Sequence, residues 1–403
     1  MLIGLIRERK NPPDTRVPFT PKQCKEIMSK YPEVRIVVET SPTRCYTDDE
    51  YRAEGIEIVT DLQDCDVLLG VKEVPIDALI EGKTYFFFSH TKKMQPYNQP
   101  LMQALVTKKI RMIDYECLTH DDGQRILGFG FFAGVVGAHN GILTYGKKHR
   151  LFELPKANEI RNYAELLSFY HQIKLPNIKI AVTGSGKVAS GILEIMYHLG
   201  IQSIEPGDFI ANEYNYPVYT HLKGGFLYQH KVRKNYNRDD FHQNPDKYES
   251  LFQQYLPHTD LLMNGIYWET KIPRLFEKED VKNQDFRISV IADITCDTDG
   301  SVPINVGAST IADPVYGIDK KTLNKVAPFQ HTTEVIDVMA VDNLPNELPR
   351  DASKYFGAHF EKYILEPLLE GFENDIIKRA TICAEGQLTE KYSYMKDYAQ
   401  PKG

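Results

Sequence analysis

Short apolar runs alternate with amphipathic segments along the first third of the chain. The apolar runs predict β-strands at 2–6, 35–39, 56–60, 66–71, 84–88 and 110–114. Helical spacing of the hydrophobic positions predicts helices at 21–30, 48–54 and 101–107. Thr20-Pro21 supplies a start signal for the first of these helices. Strands separated by helices of this length predict a parallel sheet with right-handed crossovers.

The rest of the chain repeats this alternation with different side chains. Residues 129–146 are rich in glycine and alanine, which predicts a long buried helix that packs closely against its neighbours. Further helices are predicted at 158–172, 187–200 and 352–371, and further strands at 179–183, 201–204, 261–265 and 289–293. The segment 211–255 is polar and has little periodicity, so we expect an insertion over the active-site cleft.

The pattern as a whole predicts an α/β protein with two Rossmann-like domains, each with a parallel sheet, and an active-site cleft between them. We expect residues 1–130 to form the N-terminal substrate domain. That domain regains the C-terminal segment from about residue 330 to residue 403, so it is discontinuous. Residues 131–329 are expected to form the dinucleotide-binding domain.

A glycine turn stands between the predicted strand at 179–183 and the helix that follows it. Gly184 permits the tight turn, Gly186 lets the backbone approach a ligand, and Ala189 allows the helix to pack on its strand. The helix N-terminus offers free N–H groups to a pyrophosphate. Glu205 stands about 20 residues after the first glycine, where an acidic residue would hold a ribose hydroxyl. The alternative is an ordinary βαβ turn without a ligand.

Composition narrows the class of protein. The chain has 403 residues, 42% of them hydrophobic and 26% charged, which is typical of a globular protein. A net charge of −7 argues against general nucleic-acid binding, and the absence of long apolar runs predicts no membrane span. The six cysteines are scattered without a C-x-x-C pair, so we expect free thiols, no metal site and a cytoplasmic protein. The first ten residues are expected to begin a strand, not a signal peptide.

Polar side chains follow the predicted strands of the N-terminal domain. Because ligands gather at the carboxyl ends of parallel strands, these residues are the candidates for chemistry. They are Arg7, Glu8, Lys10, Asp14, Arg16, Lys72, Glu73, Ser89, His90, Lys93, Gln95, Asp114 and Glu116. On residue type alone, each has a plainer interpretation, since a lysine or histidine after a strand is commonly a solvated surface residue. An Asp14–Arg16 surface ion pair would contribute little to stability.

Several of these residues lie in longer motifs that resemble a known family. The motifs are Arg7-Glu-Arg-Lys10, Asp14-Thr-Arg16, Gly70-Val-Lys72-Glu73-Val-Pro75, Phe86-Phe-Phe-Ser-His90-Thr-Lys-Lys93-Met-Gln95, Asn264-Gly-Ile-Tyr-Trp-Glu269, Ala292-Asp-Ile-Thr295 and Asp342-Asn-Leu-Pro345. In collinear order they resemble the alanine dehydrogenase/saccharopine dehydrogenase superfamily. More narrowly, they are similar to the lysine-forming saccharopine dehydrogenases and to the lysine–ketoglutarate reductase half of the animal bifunctional enzyme.

The resemblance implies a reversible oxidation of saccharopine through an imine, with lysine and 2-oxoglutarate as products. It implies that Lys72 is the base and His90 the acid–base group, with Arg16, Gln95, Arg125 and Phe129 at the substrate. Lys72 would need a lowered pKa, which burial or the cations Lys10, Lys93 and Arg16 would provide. Glu73 or Glu116 would act on both charges in the opposite direction. The arginines suit the carboxylates of the substrate because a guanidinium can bind two oxygens at once.

The resemblance also implies a nicotinamide cofactor bound by residues of the second domain. These are Gly184, Gly186, Lys187, Val188, Glu205, Ile266, Ala292, Asp293, Ile294 and Thr295. Glu205 would repel a 2′-phosphate and so favours NAD. The polar segment 211–255 resembles the animal reductase half, which prefers NADP. NAD is the slightly favoured prediction, and NADP stays open.

Two other functions stay open at this point. One is an alanine dehydrogenase-type amino-acid dehydrogenase, against which the Asn264–Glu269 and 342–352 motifs argue. The other is a dinucleotide-binding sensor without catalysis, against which the retention of Lys72 and His90 argues. The partners expected are small molecules, namely saccharopine, lysine and 2-oxoglutarate. The sequence predicts neither the oligomeric state nor the physiological direction of the reaction.

Overall fold

The apolar runs of the N-terminal third become neighbouring strands of one sheet. The computed structural model describes residues 1–400. The chain divides into two compact units, one of Met1–Phe129 with the segment from Pro349 onward, the other of Gly130–Leu348. The first unit begins with strands β1 (Leu2–Leu5), β2 (Arg35–Glu39), β3 (Glu57–Val59), β4 (Val67–Leu69), β5 (Thr84–Phe87) and β6 (Arg111–Asp114). Its helices there are α1 (Pro21–Lys30), α2 (Asp48–Ala53) and α3 (Gln99–Thr107).

These elements confirm the predicted alternation, and local chemistry explains their limits. Thr20 caps α1, because its hydroxyl accepts from the backbone N–H of Gln23 while the Gln23 side chain accepts from the Thr20 N–H. Pro21 occupies the first turn of the helix, where no N–H is needed. Strands β4 and β5 are buried along their whole length, which is why they appear as continuous apolar runs.

The second unit opens with a helix and then builds its own sheet. Its helices are α4 (Gly130–His149), α5 (Tyr163–Phe169), α6 (Lys187–His198), α7 (Pro206–Ala211) and α8 (Arg238–Gln243). Its strands are β7 (Lys179–Thr183), β8 (Gln202–Ser203), β9 (Val218–Leu222), β10 (Tyr228–His230), β11 (Tyr248–Ser250), β12 (Leu261–Asn264), β13 (Val290–Asp293), β14 (Val315–Asp319), β15 (Lys325–Val326) and β16 (Val335–Met339). The strand order is β15-β14-β16-β13-β12-β7-β9-β8, with β10 and β11 in a separate hairpin. Neighbouring strands pair in parallel from β16 through β13, β12, β7 and β9 to β8. Strand β14 pairs antiparallel with both β16 and β15.

The chain returns to the first unit at Pro349. The return comprises α9 (Pro349–Phe360), a π-helical turn (Glu361–Leu365), α10 (Glu366–Glu370), α11 (Asp375–Ala380), β17 (Thr381–Ala384), β18 (Gln387–Leu388) and α12 (Lys396–Ala399). The first sheet thereby gains two antiparallel strands, and its order is β18-β17-β6-β5-β4-β1-β2-β3. The return predicted from the sequence was at about residue 330. It comes later because β16 pairs with β13 and completes the second sheet.

Two segments differ from their predictions. The region 211–255 is not an irregular insertion, because it contains β9, a strand inside the second sheet that pairs with both β7 and β8. The alternating burial of β9 covers only five residues between polar stretches. A pattern that short did not predict a strand. The helix predicted at 158–172 is α5, only seven residues long, with a 3₁₀ turn following it at Tyr170–Gln172.

Glycine brings α4 against α6, as the composition of α4 predicted. A Cβ on Gly134 would lie 2.0 Å from the carbonyl oxygen of Val188, and one on Gly191 would lie 2.0 Å from that of Phe131. The two backbones are therefore in contact, which no residue with a side chain would permit. Helix α6, which begins just after the glycine turn, is held rigidly against the unit by this contact. Within residues 1–400 no helix is long and apolar enough to cross a membrane.

Candidate active site

Four neighbouring strands of the first sheet end at one edge and are followed by ionisable side chains. Strands β1, β4, β5 and β6 are consecutive and parallel, so the residues after them share the carboxyl edge. Those residues include Glu8, Lys72, His90 and Glu116. Sequence reasoning predicted the edge, and the structure gives the contacts along it.

Glu73 joins two of the predicted residues. Its Oε1 lies 2.6 Å from the Nδ1 of His90, and its Oε2 lies 3.0 Å from the Nζ of Lys10. Burial acts to raise the pKa of Glu73, but the hydrogen bond and charge of His90, with the hydrogen bond of Lys10, lower it to about 2. The carboxylate therefore stays charged and holds the Nδ1 edge of the imidazole ring. His90 itself has φ 53°, a left-handed conformation that aims its ring off the end of β5.

Lys72 is a half-buried lysine beside other cations. Burial lowers the pKa of its amino group, and the charges of Arg16 and Lys10 lower it further, while Asp14 and Glu73 act in the opposite sense. The backbone next to it is pinned, because the Glu8 carboxylate accepts from the N–H of Val71 at 2.6 Å and from that of Lys72 at 3.0 Å. An amine with a lowered pKa in a fixed position is suited to proton exchange.

Asp14 and Arg16 form a buried, two-pronged ion pair. The Nε of Arg16 donates to Oδ1 of Asp14 at 2.9 Å, and its Nη2 donates to Oδ2 at 2.5 Å. The guanidinium lies 4.1 Å above the ring centroid of Phe129, which in turn stacks on Phe356 at 4.8 Å. Burial alone would raise the pKa of Asp14, but Arg16 and then Lys72 hold it at about 2. The pair is therefore charged, and it is built into the unit and not a surface pair.

Arg125 and Glu116 form a second pair nearer the solvent. The Nη2 of Arg125 lies 2.9 Å from Oε1 of Glu116, and 47% of the arginine side chain is exposed. Oε2 of Glu116 is buried and has no hydrogen-bond partner within residues 1–400. Burial raises the pKa of Glu116, but the charges of Arg125, Lys92, His90 and Lys93 outweigh it and lower the pKa. The exposed part of the Arg125 guanidinium leaves capacity here to bind an anionic ligand.

The first unit thus brings most of its predicted residues into one cluster. Phe88 links two of them, since its ring lies 6.4 Å from that of His90 and 6.1 Å from that of Phe129. Gln95 is less integrated, because it is exposed at the start of a 3₁₀ turn, Pro96–Asn98. Glu8 was named as a candidate from the sequence without a role, and the structure shows what it contacts. Burial, with the charge of Asp14, raises its pKa to about 8, so it is a further titratable group beside Lys72.

The glycine turn lies in the second unit, between β7 and α6. Gly184 has φ 111°, and a Cβ there would lie 2.5 Å from the carbonyl oxygen of Gly265, so only glycine fits. Gly186 is the N-cap of α6, and a Cβ there would meet nothing within 4 Å. The turn therefore leaves open space at the first helical N–H groups, beside Lys187 and Val188. A cradle of this shape fits the pyrophosphate of a dinucleotide.

The ends of β12 and β13 complete this edge. Asn264 donates to Oδ1 of Asp293 and to the hydroxyl of Ser301, both at 2.8 Å, and accepts from Thr183 at 2.7 Å. Burial raises the pKa of Asp293 to about 6, although Asn305 and Asn264 act to lower it. The Thr295 hydroxyl donates to the carbonyl oxygen of Ile266 at 2.7 Å. The predicted residues Ile266, Ala292, Asp293, Ile294 and Thr295 therefore form one connected edge.

Glu205 does not join this group. For Glu205 to hold a ribose hydroxyl beside the glycine turn, the strand before it would have to lie next to β7, but β9 occupies that place and β8 is at the edge of the sheet. Glu205 follows β8 and caps α7, with its side chain exposed. It is two strands away from the glycine turn. The order of strands, which chain order does not reveal, causes the difference. Within residues 1–400 no cluster of three or more His, Cys, Asp or Glu side chains is arranged to hold a metal ion.

The second unit carries a glycine turn at the carboxyl edge of a parallel sheet, and the first unit carries a cluster of ionisable residues at the corresponding edge of its own sheet. Together these features are typical of a dinucleotide-binding oxidoreductase with two α/β units. Residues 4–136 match the family model for the N-terminal domain of alanine dehydrogenase/PNT. This match and the relatives described next support a member of the alanine dehydrogenase/saccharopine dehydrogenase superfamily.

Curated relatives resemble the chain in sequence, and a solved structure resembles it in fold. Alpha-aminoadipic semialdehyde synthase of Arabidopsis thaliana is 28% identical over 98% of this chain and 41% of its own length. Saccharopine dehydrogenase [NAD(+), L-lysine-forming] of Emericella nidulans is 27% identical over 87% of this chain and 88% of its own. The solved structure of an L-alanine dehydrogenase has the same fold, with a TM-score of 0.64 and 15% identity over 99% of this chain and 100% of that one. The chain thus spans less than half of the plant relative.

Proposed function

We propose that this protein catalyses the reversible, nicotinamide-dependent conversion of saccharopine and water to L-lysine and 2-oxoglutarate. The observation that carries the proposal is the lowered pKa of Lys72, a half-buried amine one residue from the Glu73–His90 pair. An imine-forming reaction needs a base that is neutral near the working pH, and a lysine becomes one only when its surroundings disfavour its charge.

The proposed steps use these side chains in turn. The oxidised nicotinamide would supply the acceptor for the hydride that leaves the carbon next to the secondary amine. Lys72 takes the proton from that amine, so the bond between nitrogen and carbon becomes an imine. His90, held through its Nδ1 by Glu73, accepts a proton from the water that adds to the imine carbon. It then returns a proton to the departing amine of lysine while the carbonyl of 2-oxoglutarate forms.

Charge supports a substrate with several carboxylates. Arg16 and Arg125 are the arginines assigned to these carboxylates, with Phe129 shaping the floor under Arg16 and Gln95 as a polar contact at the margin. Their guanidinium groups already hold carboxylates of the protein, Asp14 and Glu116, so a substrate carboxylate joins or exchanges with an existing pair. The names of the relatives from Arabidopsis thaliana and Emericella nidulans, which concern aminoadipate semialdehyde and saccharopine, point to the same chemistry.

A second candidate is an alanine dehydrogenase-type reaction on pyruvate and ammonia. The family match over residues 4–136 and the fold of the solved L-alanine dehydrogenase favour it, because both include the Lys72 and His90 segments. A small substrate would need only one carboxylate-binding arginine. One arginine–carboxylate pair, Asp14–Arg16, interacts with Lys72, and the other, Glu116–Arg125, interacts with His90. Two such pairs favour the larger, tricarboxylate substrate.

A substrate panel tests the proposal. Purified protein with NADH or NADPH is given lysine and 2-oxoglutarate together, each alone, and pyruvate with ammonia, while the absorbance of the reduced cofactor is followed. Oxidation that requires lysine and 2-oxoglutarate together supports the proposal. Turnover with pyruvate and ammonia instead would replace it with the second candidate, and dinucleotide binding without any turnover would favour a sensor.

A further inference from the structure

The strand beside β7 ends in a lysine and not in an acid. In a doubly wound sheet, the ribose of the adenosine lies at the end of the strand next to the glycine-turn strand, where an acidic residue selects NAD and a cation accommodates a 2′-phosphate. Here that strand is β9, whose Leu222 is in register with Thr183 of β7. The N–H of Gly184 donates to the carbonyl oxygen of Leu222 at 3.0 Å, so the end of β9 and the glycine turn are in direct contact.

Lys223 is the first residue after β9, so the pairing of β9 with β7 places its backbone beside the glycine turn. The Nε2 of His221 lies 2.6 Å from the carbonyl oxygen of Gly184, and the charge of Lys223 contributes to the lowered pKa of His221 after burial. The chain turns at Gly224, which has φ 52° and packs against the ring of Tyr236. The amino group of Lys223 is therefore near His221 and the glycine turn, and its side chain is exposed to solvent.

Glu205 is too far along the sheet to take the same role. Ser203 of β8 is in register with Tyr219, and the N–H of Ile204 donates to the carbonyl oxygen of Tyr219 at 2.8 Å. Glu205 therefore stands beside β9, and its backbone is two strand spacings, about 10 Å, from β7. Its carboxylate is exposed at the outer edge. The residue nearer to a ribose at β9 is the cation.

We propose that Lys223 is a specificity-determining residue that binds the 2′-phosphate of the cofactor, so that the protein favours NADP(H) over NAD(H). This inference rests on the dinucleotide part of the proposed function and is independent of the amine substrate. An ammonium–phosphate contact is a charge-assisted hydrogen bond, and an unphosphorylated ribose offers Lys223 no comparable partner. The side chain of Lys223 thus discriminates between the two cofactors at one oxygen of the ribose.

Binding of adenosine fragments tests the inference without any turnover. Isothermal titration compares 2′,5′-ADP with 5′-AMP for the unmodified protein, Lys223→Ala, Lys223→Asp and Glu205→Ala. Lys282→Ala, which removes another exposed lysine of the same unit, is the matched control. NADPH and NADH titrations followed by fluorescence repeat the comparison with whole cofactors.

The unmodified protein is expected to bind 2′,5′-ADP more tightly than 5′-AMP. Lys223→Ala should weaken 2′,5′-ADP about tenfold while changing 5′-AMP by less than about twofold, and Lys223→Asp should reverse the preference. Glu205→Ala and Lys282→Ala should leave the ratio unchanged. Equal affinity of the unmodified protein for both fragments, an unchanged ratio in Lys223→Ala, or a ratio that moves with Glu205→Ala would overturn the inference. A protein that fails the substrate panel can still give these ratios, so the two failures are distinguishable.

Discussion

The two sheet edges of this molecule are built from opposite kinds of residue. At the edge of the first unit, charged side chains follow consecutive strands. The carboxylate of Glu73 contacts both His90 and Lys10. At the edge of the second unit, Gly184 and Gly186 leave space where side chains would stand. The groups behind that space are a hydrogen-bonded network of neutral amides and hydroxyls around Asp293.

The difference shows what each site depends on. Under the proposed function, the charged edge acts through mutual shifts of pKa, so a substitution there is expected to change proton transfer more than the backbone. The glycine edge works through shape, so a substitution there fills space or strains the backbone. The first kind of change should alter rates more than dinucleotide affinity, and the second kind should do the reverse.

The largest effect is expected from Lys72→Met, which removes the proposed base and keeps an unbranched side chain of similar length. Turnover of saccharopine should fall by about 10²–10⁴-fold, the usual contribution of a positioned acid–base group. Affinity for the reduced cofactor, measured by fluorescence, should stay the same, because Lys72 belongs to the other unit. Lys25→Met, on the exposed face of α1, is the control. Turnover retained in Lys72→Met would remove Lys72 from the mechanism.

Sequence reasoning predicted these two edges unequally well. The strands β1 to β6 and the glycine turn follow from local periodicity and from turn chemistry, so their predictions are confirmed. The order of strands is a tertiary property. Glu205 was assigned to the ribose because chain order puts β8 after α6, and the placement of β9 between β7 and β8 leaves no local trace.

Glu8 was a candidate from the sequence, but its role was not predicted, for a related reason. It lies directly after β1, but its partners are the N–H groups of Val71 and Lys72, and these come within reach only because β4 lies beside β1. The late return of the chain at Pro349 has the same origin, since β16 belongs to the second sheet by pairing with β13. Local patterns predicted which residues stand at the ends of strands. Which residues lie next to one another at those ends depends on the order of strands in the sheet, and only the structure gives that order.

A smaller effect, confined to the second unit, is expected from Gly184→Ala. The substitution puts a methyl group 2.5 Å from the carbonyl oxygen of Gly265 at a residue with φ 111°. It should lower the free energy of unfolding by about 1–3 kcal/mol and weaken cofactor binding, because the turn must shift. Thermal unfolding and cofactor titration measure the two effects. Unchanged stability would mean that the turn is more adaptable than its contacts indicate.

Gly186→Ala separates shape from strain. Its Cβ would meet no atom of the protein within 4 Å, and its φ of −95° suits any residue, so the loss of stability should not exceed about 1 kcal/mol, the usual cost of alanine at an N-cap. The methyl group would stand in the space assigned to the pyrophosphate, so cofactor affinity should still fall. Gly207→Ala, also without neighbours for its Cβ, is the control that should leave cofactor affinity unchanged. Full cofactor affinity in Gly186→Ala would place the pyrophosphate elsewhere.

The smallest expected effect is a shift in pH dependence at the charged edge. Lys72 must be neutral to accept a proton, so kcat for saccharopine oxidation should fall on the acid side as Lys72 becomes protonated. The charge of Lys10 lowers the pKa of Lys72 and that of Glu73 raises it. Lys10→Gln should therefore move the acid limb to higher pH, and Glu73→Gln should move it to lower pH, each by about half a pH unit.

The opposite signs make this pair of variants informative. A general loss of structure would move both profiles alike, whereas an electrostatic effect on one amine must move them apart. Added salt should shrink the Lys10→Gln shift more, because 44% of the Lys10 side chain is exposed and 14% of the Glu73 side chain is. Profiles of kcat against pH for the unmodified protein and both variants, at low and high salt, measure this. Shifts in the same direction would show that the titrating group is not Lys72, and the charged edge would then need another base, for which Glu8 is the nearest candidate.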